Sequence, residues 1–368
     1  MERLDVDFDI TEEDTTSIPF GWDFQYASAI FLFLHYIEEA KKIIVEGKNQ
    51  DVEIIFDNYV LLAQAKASQT GSVSGRYSKI KKAVVSLAKA NKQTNDKLMY
   101  ICNIEPPILS EKVFKNTVLE LGKSESDLNI FKAKIDDVIA DIDKKITGCS
   151  KPAELKKLNA LRHRLVNFDC NNILICCISP FVDNKDFLKR YEVISDSLKN
   201  MLVDKLDLKM YEMGNYINNV LEDWHFMISL DAGVNNERDF KEISRDRMVW
   251  QILYRIIERN IDPKDLYEGE IPSGLIDKLC NGSEKLIKKP IKFKTVNRIV
   301  NGFRDYIKID ATRTHFDFAK EKWMEYKDLS SEYENDPLLN EYVIKSTIVK
   351  ILLNNKNVYK LILGGVLC

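Results

Sequence analysis

The sequence predicts an α/β fold. An α-β-β-β-α-β core covers about residues 20–105, helical additions extend it to residue 260, and residues 261–368 form a mainly helical region. Three observations predict this. Residues 43–66 read as apolar strands on either side of Asp57-Asn58, a good turn dipeptide, interrupted by Glu46, Asp51, Gln64 and Lys66, as in a β-hairpin. Phe24, Ala27, Phe31, Leu34 and Ile37 fall on one face of a helix ahead of that hairpin. IDPKDLYEGEIPSG, residues 261–274, carries the Pro and Gly punctuation of a linker.

Each element has its own signal. Residues 1–20 form an acidic lead with no apolar core, unlike a signal peptide. Asp23 stands where an N-cap would, before the apolar helix. Ile43–Glu46 reads as a short strand, followed by strands over Asp51–Phe56 and Tyr59–Lys66. SQTGSVSGR, residues 68–76, is a Gly/Ser loop. Tyr77–Gln93 is an amphipathic helix with Ile80, Val84, Leu87 and Ala88 inward. Lys79, Lys81, Lys82, Lys89 and Lys92 decorate its exposed sides. KLMYICN, residues 97–103, is a buried strand. The next stretch, to about Leu165, reads as helical and charged. NILICCISPF, residues 172–181, is a further strand candidate, and helical patterns follow over roughly 185–205, 209–230 and 236–260.

Composition narrows the function. The formal net charge is −3, so there is no global basic field, and any nucleic-acid binding rests on a local patch or on a partner. The seven cysteines form no C-x-x-C pair and the four histidines lie far apart, so zinc-ligand spacing is absent. Reduced, mostly buried cysteines point to the cytoplasm. The longest apolar run, Ala27–Leu34, is too short to span a bilayer. GSVSG lacks the Lys-Ser/Thr of a phosphate-binding P-loop. Trp224-His225 reads as a packed aromatic pair, and His315, close to Arg313, is a weak phosphate candidate. The apolar tail VYKLILGGVLC is expected to be buried in its own fold or docked on a partner.

The hairpin carries the chemistry. With a two-residue turn at Asp57-Asn58, Phe56 faces Tyr59, Val52 faces Ala63, and Asp51 faces Gln64. Opposed residues share a face, with Cβ atoms about 4.5–5.5 Å apart. Alternation puts Glu53 beside Asp51 and Lys66 beside Gln64. A carboxylate, an amide and an ammonium thus gather at the end of the hairpin away from its turn. Such a set suits a hard divalent cation and a phosphodiester. Mg²⁺ takes oxygen ligands and keeps several waters. Asp51, the Ala65 backbone carbonyl and the Gln64 amide oxygen are the candidate ligands, and Glu46 offers a second carboxylate. Lys66 is placed to orient or help deprotonate a water, or to offset phosphate charge. On spacing alone, a solvated hairpin face explains the same residues, and the lysine-rich helix is more often a solvated face than a nucleic-acid surface.

The element order with Asp51…Gln64-Ala65-Lys66 resembles the PD-(D/E)xK nuclease superfamily. More closely it resembles the double-strand DNA endonuclease domain of CD-NTase-associated effectors and of Lamassu-type defence nuclease subunits. The residues that carry the resemblance are Phe24-Gln25, Glu46, Asp51-Val52 and Gln64-Ala65-Lys66, with KLMYICN as the next strand and ILICCISPF…DFLKRYEVI beyond it. It covers roughly residues 18–260. It implies a restriction-endonuclease-like nuclease domain over 1–260, with 261–368 serving interaction or regulation. It also implies Mg²⁺- or Mn²⁺-dependent cleavage of double-stranded DNA. Asp51, Gln64, Lys66 and Glu46 would be catalytic, Gln25 and Glu53 supporting, and Arg76, Lys79 and Lys82 DNA-binding. Many superfamily members carry Glu where this chain has Gln64, so the site leans more on Asp51 and Glu46. The implied partners are an SMC-like ATPase and a small third subunit, in a complex that restrains the nuclease until oligomerisation activates it. Two other readings compete: a catalytically silent DNA-tethering or assembly subunit, and a stand-alone restriction enzyme whose residues 275–368 recognise DNA.

Overall fold

The computed structural model describes residues 18–47, 50–68, 73–90, 92–93, 95–106, 115–206, 214–232, 242–258, 261–267, 271, 273–330, 333, 335–358 and 360. Residues 1–17 of the acidic lead, residues 69–72 of the Gly/Ser loop and residues 359 and 361–368 of the apolar tail lie outside them. The chain divides into two compact units. The first holds residues 1–199 and 225–243, the second residues 200–224 and 244–368. This division groups residues 244–260 with the C-terminal helices, whereas the punctuation at 261–274 places a boundary later.

The first unit is α/β. Its elements begin α1 (Ile18–His35), β1 (Lys42–Val45), β2 (Val52–Ile55), β3 (Val60–Lys66), α2 (Val73–Lys89) and β4 (Lys97–Cys102), the expected α-β-β-β-α-β order. Then come β5 (Val118–Glu120), α3 (Glu125–Gly148), α4 (Pro152–Val166) and β6 (Ile173–Cys177). The short α5 (Phe187–Arg190), α6 (Glu192–Leu206) and α7 (Gly214–Ala232) follow, and β7 (Ile243–Ser244) completes a seven-stranded sheet of order β5-β6-β4-β3-β2-β1-β7. Helices α6 and α7 each contribute residues to both units. The β1-β2-β3 meander is antiparallel, while β3-β4 and β4-β6 are parallel.

The hairpin has the expected register: Val52 pairs with Ala63, Glu53 with Leu62 and Ile54 with Leu61. The Phe56 N–H donates to the Tyr59 carbonyl at 3.0 Å, which closes the Asp57-Asn58 turn. Strand alternation then sorts the side chains. Leu62, Leu98, Tyr100, Ile173, Ile175 and Cys177 pack with α2, α3 and α4 in one apolar cluster. The alternate positions of β3 (Leu61, Ala63 and Ala65) are left for α1, which packs against β1, β2 and β3. Cys177 belongs to the α2-side cluster and its neighbour Cys176 does not, as period-two alternation requires.

Three sequence expectations are corrected. Asp23 is not an N-cap, because α1 starts at Ile18 and Asp23 lies inside it. Pro19, which lacks an N–H, fits the first turn, and the Asp23 carboxylate is taken up by an ion pair with Arg190 and a 3.4 Å contact with the His225 ring nitrogen. Helix α2 starts at Val73, inside the stretch read as loop. The segment up to Leu165 is mostly helical but includes the edge strand β5, only three residues long and so without a readable period.

The second unit is helical: α8 (Arg245–Ile257), α9 (Pro263–Leu266), α10 (Ser273–Ile287), α11 (Phe293–Ile309), α12 (His315–Lys322), α13 (Pro337–Leu353) and α14 (Asn355–Val358). Helix α13 is its centre, packing against α10, α11 and α12 and burying Tyr342, Val343, Ile344, Ile348 and Ile351. His315, the weak phosphate candidate, begins α12 and stacks on Phe303 at 4.5 Å. Among the described residues, no helix is long and apolar enough to cross a membrane.

Candidate active site

Strand pairing brings Asp51, Gln64 and Lys66 together at the open end of the β2–β3 hairpin. Asp51 ends the turn that precedes β2. Its Oδ2 accepts from the Gln64 amide Nε2, from the Ala65 backbone N–H at 3.1 Å and from Lys66 Nζ at 3.5 Å. The Asp51 side chain retains 17% exposure and Lys66 26%, so the pair is half-buried yet reachable. All three donors converge on Oδ2, which leaves Oδ1 to another group. In a strand, one residue's N–H and C=O point to the same side. The Ala65 carbonyl therefore faces the Asp51 side, as its N–H does.

Gln64 differs from its expected role. It is 2% exposed, and its amide oxygen accepts from the Ser86 hydroxyl on α2. A carboxylate only accepts, so the amide turns its N–H to Asp51 and its oxygen away. As placed, Gln64 supports Asp51 and does not offer a metal ligand.

Glu46 lies at the end of β1 with φ of 54°, in the left-handed region. This conformation costs a non-glycine residue about 1–3 kcal/mol. It brings the Glu46 N–H onto the Asp51 carbonyl at 2.8 Å, which clips the β1 end to the residue bearing the key carboxylate. The Glu46 side chain is exposed. Burial first, and then the nearby Glu46 charge, push the Tyr26 hydroxyl pKa up. Glu53 is buried at 7% and faces Leu62, deeper in the hairpin. Its carboxylate lies against Gly47, where an added Cβ would fall 2.4 Å from Oε1. Gln25 is buried on α1, with an amide oxygen that has no hydrogen-bond partner among the described residues.

A small, partly open cleft of about 10 Å³ lies beside Lys66. Lys66, Ser68, Arg76, Lys79, Cys102 and Asn103 help to line it. Two of the basic residues expected to touch DNA, Arg76 and Lys79, thus face the same space as Lys66. Lys82, a turn further along α2, is not among the lining residues. Arg76 Nη1 donates to the Glu105 carbonyl at 3.0 Å, while its buried Nε has no partner among the described residues. Among the described residues, no three His, Cys, Asp or Glu side chains are grouped to hold a metal ion. The hairpin end carries two oxygen donors, Asp51 and the Ala65 carbonyl, and Glu46 stands at the neighbouring end of β1. They suit a hard cation that keeps much of its water.

Several residues at the site escaped the sequence reading. Asn103, at the end of β4, is 4% exposed. It accepts from the Ser68 N–H at 2.8 Å and donates to the Ser68 and Phe181 carbonyls, each at 2.9 Å. It fixes the chain that leaves β3 just after Lys66. Ser86 and Gln50 stand behind Gln64, linked by Ser86 Oγ to Gln50 Oε1 at 3.3 Å and Gln50 Nε2 to the Ser86 carbonyl at 2.9 Å. The available signal was a serine among the inward Ala83, Val84 and Leu87 of an amphipathic helix. His225 is more than a packed aromatic. It meets Tyr26, Phe187 and Tyr191 edge-on and lies 3.4 Å from Asp23, while Trp224 donates to the Met248 carbonyl. Burial, and after it the Arg190 charge, lower the His225 pKa.

No family model matches the chain, and no curated protein matches it. Among solved structures it is similar to a Moraxella osloensis Cap4 SAVED/CARF-domain containing receptor, at 13% identity and a TM-score of 0.34. The match covers 65% of this chain and 48% of that one, so the chain spans about half the receptor's length.

Proposed function

We propose that this chain is a metal-dependent endonuclease that hydrolyses DNA phosphodiesters, with Mg²⁺ as cofactor and Mn²⁺ as its substitute. The observation that carries the reading is the convergence of Asp51, Gln64 and Lys66 on one hairpin face, beside a cleft lined by Lys66, Arg76 and Lys79. A bound divalent cation supplies Lewis-acid activation of water and neutralises charge on the phosphate. Asp51 through Oδ1, the Ala65 carbonyl and Glu46 would hold it. Gln64 and the Ala65 N–H keep the Asp51 carboxylate in one orientation. The Lys66 ammonium, free to leave Asp51 once a cation takes up that charge, would hold the attacking water or the charged phosphate oxygens. Arg76 and Lys79, which line the small cleft beside Lys66, would contact the strand backbone, where contacts position the substrate without reading its sequence.

The proposed biology is defence against invading DNA. The chain would act as the effector of a complex with an SMC-like ATPase and a small third subunit, restrained by them and activated by oligomerisation. Two copies would place two sites on opposite strands. The thin basic surface of a chain with net charge −3 supports delivery to DNA by partners. The test is plasmid cleavage with Mg²⁺, wild type against Lys66→Ala and Asp51→Ala, with and without the partner subunits. Cleavage by the wild type and a loss of about 100-fold or more in both variants is expected. A wild type that never cuts under any activating condition refutes the enzymatic reading and leaves a DNA-tethering or assembly role.

A further inference from the structure

Four polar side chains from three elements form one chain of hydrogen bonds: Gln50 before β2, Ser86 on α2, Gln64 on β3 and Asp51. Gln50 and Gln64 are 4% and 2% exposed. Buried amides are costly unless every donor and acceptor is met. Ser86 touches both of them. Its backbone carbonyl accepts from Gln50 Nε2 at 2.9 Å. Its hydroxyl faces Gln64 Oε1 and, at 3.3 Å, Gln50 Oε1. A serine hydroxyl has one proton, and both neighbours on this side are amide oxygens, so Ser86 donates to the nearer one, Gln64 Oε1, and holds Gln50 through its carbonyl. That assignment fixes the next one: with its oxygen occupied, the Gln64 amide presents N–H to Asp51. The chain ends on a carboxylate still 17% exposed, beside the cleft. A network serving only the core would end on buried groups.

We infer that Ser86, braced by Gln50, is a positioning residue for Asp51: its hydroxyl holds the Gln64 amide so that the amide orients the carboxylate and leaves Oδ1 for a cation. The inference rests on reading Asp51 as the cation-binding carboxylate. Residues 50 and 51 are neighbours, so the same helix restrains this turn twice: directly through the Gln50 side chain, and through Gln64 on Asp51. Groups that orient a metal ligand commonly change metal affinity by about 10–100-fold when removed.

The test is Mn²⁺ binding to the full chain, followed by electron paramagnetic resonance and by calorimetry, with no DNA present. Ser86→Ala is expected to weaken binding about tenfold. Ser86→Thr, which keeps the hydroxyl, should restore it, and Gln50→Ala should give a smaller loss. In a Gln64→Ala background, Ser86→Ala should have no further effect, because Ser86 acts only through that amide. A purely structural serine would instead lower stability alike in both backgrounds and leave Mn²⁺ affinity in place, which urea unfolding of the same variants reads out. If Asp51→Ala abolishes binding but Ser86→Ala leaves it unchanged, the Ser86 inference is overturned and the Asp51 reading stands. If wild type and Asp51→Ala bind Mn²⁺ equally weakly, both are overturned.

Discussion

Asn103→Ala tests whether β4 holds the chain beyond Lys66 in place. Asn103 makes three hydrogen bonds to main-chain groups: Ser68 N–H, Ser68 C=O and Phe181 C=O. The two at Ser68 are half-buried, and water can partly replace them, so each loss costs about 1 kcal/mol. The Phe181 bond is buried, and leaving that carbonyl without a donor costs about 1–3 kcal/mol. The sum is about 3–5 kcal/mol, a large part of the roughly 5–15 kcal/mol that stabilises an ordinary domain. The assay is urea unfolding followed by circular dichroism, with hydrogen exchange at the amides of β3 and β4 to localise the loss to the first unit. Asn103→Asp should be no milder. It keeps the acceptor for the Ser68 N–H but turns a carboxylate onto two carbonyls. DNA cleavage should fall with stability in both, since Ser68 follows Lys66 by two residues. An Asn103→Ala protein within 1 kcal/mol of wild type, with unchanged exchange in β3, would refute the reasoning.

Three further predictions follow from the structure. Gly47→Ala forces a Cβ to within 2.4 Å of Glu53 Oε1 and is expected to cost about 1–3 kcal/mol in urea unfolding, as overpacking does; adding Glu53→Ala should recover part of that loss. Burial lowers the pKa of His35 and His225 below the ordinary 6.5. The unfolded chain therefore takes up protons first, and the stability they contribute is full above pH 6.5 and lost as pH falls through the folded values. The urea midpoint should drop between pH 7.5 and pH 5, and drop less in His225→Gln; an equal drop in both would exclude His225 as a contributor. In the second unit, Lys350 is 4% exposed, bonds Ser283 at 3.1 Å and has its pKa lowered by burial. Lys350→Met should be neutral or up to about 1 kcal/mol stabilising at pH 7, and should flatten the rise in stability that the wild type shows as pH climbs towards 10.5. A loss above 2 kcal/mol would mean that the Ser283 bond outweighs the burial cost.

The sequence by itself determined what depends on near neighbours. Period-two alternation and a two-residue turn leave one register for the hairpin, so Asp51 opposite Gln64, with Lys66 on the same face, was legible without coordinates. The apolar face of α1, the inward residues of α2 and the β4 and β6 strands were legible for the same reason, since each is a local period longer than its noise. Short or unpatterned pieces were not: β5 has three residues, and α2 begins four residues inside a Gly- and Ser-rich stretch. Tertiary structure alone decided what each polar atom does. Asp23 looked like a cap because its neighbours along the chain are helical. Its partners, Arg190 and His225, lie far off in sequence and take the carboxylate away from the backbone. Gln64 was expected to turn its oxygen to a cation, yet Ser86 on α2 holds that oxygen and leaves the N–H for Asp51. Asn103 and the shared cleft of Lys66, Arg76 and Lys79 also depend on strands and helices meeting across the fold. The physical reason is the same in each case. Backbone periodicity is short-ranged and sets which face a residue takes. The hydrogen-bond partner that fixes an amide or a carboxylate comes from whichever element packs against that face.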